Sequence, residues 1–144
     1  MMETLLIEKL RSYIIENNLD LLLQLQENFG LTKYLEDKVA GIAPQLEIWI
    51  SEGKPQYVIE ELSLQELTRE LRPSKFNYIK EVLETEFLQT YKRFNEMGVL
   101  TYEIINIIQS CKSVFDELGF TEDTEDQKTL RYAITGAIQE YLES

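Results

Sequence analysis

The sequence predicts an all-α protein, a single multihelical bundle-like domain of six or seven helices over residues 1–144, with no sheet. Two observations carry that prediction. Apolar residues recur every three or four positions almost throughout, which is the helical period. Hairpin signals of the Asn-Gly or Asp-Gly kind and sustained alternation of apolar with polar residues are both missing. Glycine and proline then divide the periodic run into segments.

The first helix carries the stripe Leu6, Leu10, Tyr13 and Ile14 and ends near Asn17-Asn18. A second, Leu19 to Phe29, is so rich in leucine that periodicity alone does not orient it; Gly30 closes it at low conformational cost. Thr32 is the expected cap of a third segment striped by Leu35, Val39, Ile42, Leu46, Trp49 and Ile50. Gly41 and Pro44 lie inside it, and proline removes a backbone donor and crowds the preceding turn, so a kink or split is expected there. Gly53 ends that segment, and Pro55 suits the first position of the fourth helix, whose inward residues are Val58, Ile59, Leu62, Leu67 and Leu71.

Pro73 disfavours the helical region at Arg72, so Arg72-Pro73-Ser74 reads as a break. Ser74 caps a long fifth helix reaching about Met97, with Phe76, Ile79, Leu83, Phe87, Tyr91 and Phe94 on one face. Gly98 stops it. Thr101 is the expected cap of the sixth helix, striped by Ile104, Ile108, Cys111, Phe115 and Leu118 and ended by Gly119. Thr124-x-x-Gln127 has the spacing of a capping box for the seventh, with Leu130, Ile134, Ala137, Ile138 and Tyr141 inward. Gly136 inside that helix costs up to about 1 kcal/mol against alanine, and close approach of a neighbouring helix is the expected compensation. The sequence shows no internal repeat, no low-complexity segment and no flexible linker.

Several of these residues carry a resemblance. The break Leu71-Arg72-Pro73-Ser74-Lys75-Phe76 is followed by Glu86-Phe87, by Cys111 to Phe115, by an acidic turn, and by Leu130-Arg131-Tyr132, Thr135-Gly136 and Tyr141-Leu142-Glu143. In these features, over roughly residues 5–143, the chain resembles the small helical family filed as domain of unknown function eighteen-ninety-six. The resemblance implies an all-helical fold and an origin in Bacteroidetes-type bacteria, where members lie near mobile-element genes. It implies no activity and no catalytic residues.

Composition narrows the chemistry. Histidine is absent, which removes the commonest general base and metal ligand together. The lone Cys111 allows neither an internal disulfide nor a cysteine zinc site, and its apolar surroundings read as core. None of the six glycines falls in a phosphate-binding loop. No catalytic, cofactor-binding or metal-binding residue is therefore assigned, and the reading is a non-enzyme with no cofactor. No run approaches the roughly 20 apolar residues of a membrane helix, and Met1-Met2-Glu3-Thr4 lacks a signal pattern, so the expectation is a cytoplasmic protein with no membrane partner.

Acidic residues number 26 against 14 basic ones, for a net charge of −12, which opposes non-specific attraction to nucleic acid. The excess lies at the two ends of the chain, and the nearly neutral middle holds the one basic concentration: Arg69, Arg72, Lys75 and Lys80, straddling a helix break, with Lys92 and Arg93 further on. These four are the candidate interaction surface. One reading makes them phosphate contacts of a helix-turn-helix; the simpler one pairs Arg69 with Glu66 or Glu70 on the surface. The turn Glu122-Asp123-x-Glu125-Asp126 collects oxygen ligands without the spacing of a calcium loop, and reads better as charge placed against a helix N-terminus. Glu81, Glu84 and Glu86 lie along the fifth helix, where the face that Glu81 and Glu84 could share reads as solvated, and several of the eight tyrosines read as core rings. The surplus of Leu19, Leu21, Leu22, Leu23 and Leu25 calls for full burial or for a second subunit, a homodimer. The expected function is a helical protein–protein interaction or accessory module whose protein partner the sequence does not name. The alternative is a nucleic-acid-associated protein using the break around Arg72 and Lys75.

Overall fold

Helical periodicity translates directly into helices. The computed structural model describes residues 2–144, and among them are ten α-helices, a 3-10 turn and no strand. The helices are α1 (Met2–Asn17), α2 (Leu19–Glu27), α3 (Leu31–Gly41), α4 (Ala43–Ser51), α5 (Gln56–Leu67), α6 (Lys75–Glu86), α7 (Leu88–Glu96), α8 (Leu100–Ser110), α9 (Lys112–Leu118) and α10 (Lys128–Glu143), with the 3-10 turn at Arg69–Leu71. The count exceeds the expected six or seven because three segments are broken. The break ahead of Pro44 comes at Ile42, where a kink or split was expected. Two further breaks, at Phe87 and Cys111, fall on apolar residues that carry no glycine or proline signal.

The caps are set as much by packing as by residue type. Ser74 does cap α6: the Asn77 N–H donates to its Oγ at 3.0 Å. Thr32 and Thr101 do not cap, because α3 and α8 begin one residue earlier, after Gly30 and Val99. Pro55 sits just outside α5 rather than within its first turn. The Thr124–Gln127 box does not form either. Thr124 instead closes its own turn, accepting from the Thr121 N–H at 2.8 Å, and Gln127 flanks α10.

The packing gathers the chain into two compact units, one ending at Leu71 and the other spanning Arg72–Ser144. In the first, Leu6, Leu10 and Ile14 of α1 are fully buried with Leu35 and Val39 of α3, Leu46 of α4, and Ile59 and Leu67 of α5. In the second, Phe76, Ile79, Val82 and Leu83 of α6 are buried, as are Ile104 and Ile107 of α8 and Leu130, Ile134 and Ile138 of α10. Each such side chain contributes roughly 1.5–3 kcal/mol by leaving water, which is what holds helices of nine to twelve residues that would be marginal alone.

Some inward faces shift by a position or two. Ser63, not Leu62, takes the buried place between Ile59 and Leu67, and Ile50 and Leu118 are exposed. Gly136 faces open space, with no atom within 4 Å of where a Cβ would stand, so close helix approach does not explain it. Of the leucine run only Leu22 is buried and the rest are half-buried, so α2 is not the fully enclosed helix that was one of the two expectations.

Candidate interaction surface

The four basic residues of the break are divided between the units, and most are engaged within their own. Arg69, on the 3-10 turn of the first unit, meets Glu66 at 2.6 Å, the local pairing expected from spacing. Glu70 turns elsewhere, to Lys38 of α3 at 3.3 Å. These residues, with Asp37 and a floor that includes Leu67, line a cleft of about 290 Å³ between α3 and the end of α5. Its walls carry both signs of charge: Lys38 and Arg69 are matched to Glu70 and Glu66, and Asp37 adds a third carboxylate.

In the second unit Arg72 lies 3.2 Å from Glu122, so the acidic turn answers a basic side chain 50 residues away. Thr121 and Thr124 fix that turn through the hydroxyl of each: the Asp123 and Thr124 N–H groups both donate to Thr121 Oγ1 at 3.2 Å. Among the described residues no group of three or more acidic, Cys or His side chains converges as a metal site would require. Lys75 stands 5.1 Å over the Phe115 ring, the geometry of a cation–π contact. Phe115 belongs to an aromatic cluster: Phe120 lies 4.9 Å from it, and Tyr78 meets both edge-on at 6.1 and 5.2 Å. Lys80, further along α6, is half-buried.

The carboxylates of α6 are exposed, as expected of a solvated face, and two of them also serve as partners to another helix. Glu81 pairs with Arg131 of α10, Glu86 lies 3.6 Å from the same guanidinium, and Thr85 Oγ1 accepts from it at 2.5 Å. Three residues of one helix thus hold one arginine of another. Its pKa is raised first by the hydrogen bond to Glu81. Sequence reasoning missed Arg131 as a hub; only the resemblance had drawn attention to it, as a motif residue with no stated partner. A second tie joins α10 to α8, with Tyr141 donating to Glu103 at 2.6 Å. These residues act as ties between helices.

Cys111 is fully buried at the break between α8 and α9, and burial pushes its thiol up to about 11. A thiol held protonated is a packing group and a poor nucleophile. Tyr57, Tyr102 and Tyr132 are exposed, while Tyr78 buries a hydroxyl that has no hydrogen-bond partner. Among the described residues no helix is long and apolar enough to cross a membrane. Comparison of the chain with protein-family models, with curated proteins and with solved structures finds no match in any of the three.

Proposed function

We propose that this chain is a non-enzymatic helical protein–protein interaction or accessory module, cytoplasmic, from a bacterium, of the eighteen-ninety-six type and tied to a mobile genetic element. The observation that carries the reading is the state of the basic break. Arg69 and Arg72 are each matched to a carboxylate of their own unit, which neutralises two of the four basic residues of the break, and Lys75 rests over the Phe115 ring. What remains across the surface is an uncompensated excess of carboxylates, 26 acidic residues against 14 basic. Such a surface favours basic protein partners and disfavours phosphate backbones.

A tagged full-length chain, expressed in its native host and recovered at low and at high salt with the eluate identified by mass spectrometry, tests this. The expected result is a stoichiometric basic protein that is lost at high salt, because exposed charges are screened beyond about 8–10 Å at physiological ionic strength. Recovery of nuclease-sensitive material, weakened by Arg72→Glu and Lys75→Glu, would replace this reading with nucleic-acid association. A partner indifferent to salt would move recognition to an apolar helix face.

A further inference from the structure

The two units run through the same succession of elements. Each opens with a long helix that breaks at one residue, and the two breaks have nearly one geometry: Asn18 at φ −134°, ψ 57° and Phe87 at φ −136°, ψ 49°. Each break is followed by a helix of nine residues, α2 and α7. Each nine-residue helix ends in a left-handed residue, Phe29 at φ 54° and Gly98 at φ 73°. Gly30 and Val99 then start helices of eleven residues, α3 and α8, from φ −106°, ψ 4° and φ −113°, ψ 4°. Those end at Ile42 (φ −102°, ψ 5°) and Cys111 (φ −93°, ψ 4°), where a short helix begins, and a left-handed glycine follows in both, Gly53 and Gly119.

From α2 to the second break the register is constant at 69 residues, down to individual hydrogen bonds. Gly30 donates to the Leu25 carbonyl as Val99 does to that of Phe94; Phe29 donates to Gln26 as Gly98 does to Asn95. The last helices bury a ridge of the same spacing, Ile59, Ser63 and Leu67 against Leu130, Ile134 and Ile138. Helices are common, but this ordered set of lengths, breaks and turns is not a consequence of being helical.

We infer that the chain is a tandem of two copies of one five-helix unit, and that the first copy opens before the second. The order follows from comparing equivalent positions. Where the second copy has glycine in the left-handed turn, the first has Phe29, which takes the steric cost and, at 96% exposed, gains no burial. Where the second buries Ile134, the first buries the Ser63 hydroxyl with no partner. Where the second has Phe87, the first buries the Asn18 side-chain carbonyl, also unpartnered. All three differences weaken the first copy, against one buried unpartnered hydroxyl, that of Tyr78, in the second.

The chain supplies its own reporters: Trp49, its one tryptophan, lies in the first copy, and Cys111, its one cysteine, in the second. In a urea titration of the full chain, Trp49 emission is expected to change at lower urea than pulsed labelling of the Cys111 thiol. Phe29→Gly and Ser63→Ala are each expected to reduce the opening constant read at Trp49 about fivefold or more, leaving Cys111 labelling unmoved. Coincident transitions in the wild-type chain, Cys111 exposure preceding Trp49, or variants that shift both probes equally would each overturn the inference.

Discussion

Cys111 shows how one buried residue links packing to pH. Its thiol titrates at 9.0 in an ordinary environment and at about 11 in the folded chain, because burial disfavours the thiolate. A group whose folded pKa is raised stabilises the fold fully below its unfolded value and loses that contribution as pH climbs through the folded one. Folding stability is therefore expected to fall between about pH 9 and pH 11, by on the order of 2 kcal/mol from this residue. Tyr34, Tyr78 and Tyr141, raised chiefly by desolvation, act in the same direction at the alkaline end of that window. Urea unfolding of wild type and Cys111→Ala from pH 8 to 11 checks this. The variant is expected to start less stable, from the cavity, and to lose less on the way up. Parallel pH profiles would contradict it.

At the scale of the element, what was legible in the sequence depended on whether one residue or many decided it. The buried stripes of α1, α6 and α10 rest on several apolar residues in phase, so Leu6, Leu10 and Ile14, or Leu130, Ile134 and Ile138, stand where the spacing puts them. Breaks depend on one dihedral pair. Phe87 and Cys111 continue the apolar stripe of their segments, so nothing in their chemistry announces that the helix stops and restarts there. Caps failed for a related reason: Thr32 and Thr101 are good capping residues, but the preceding left-handed turn puts each cap two residues sooner, at Gly30 and Val99. Gly136 was read as a packing glycine and faces open space instead. Gly136→Ala is accordingly expected to stabilise the chain by roughly 0.5–1 kcal/mol, since alanine loses less backbone entropy and meets nothing. A rise in the thermal midpoint is the readout, and a fall would show that the position is crowded.

At the scale of the molecule, charge and architecture were legible to different depths. Net charge and the missing histidine come straight from composition, and so does the case against histidine-dependent catalysis. The pairing of that charge did not: Arg72 with Glu122, and Arg131 with Glu81 and Glu86, join residues 45 or more apart, which spacing on a single helix does not report. The repeat was hidden for a further reason. At a shift of 69 residues Leu19 falls on Leu88, Glu27 on Glu96 and Leu31-Thr32 on Leu100-Thr101, but most other positions differ. The two copies share helix lengths, breaks and turns, which many side chains can satisfy, rather than residues.

The central claim, two copies of a unit broken at equivalent points, is tested most directly by Cα secondary chemical shifts along the full chain. The helical shift is expected to be interrupted at both Asn18 and Phe87, with a nine-residue helix after each and left-handed values at Phe29 and Gly98. An unbroken helix running through Phe87 from Lys75 to Glu96 would contradict it.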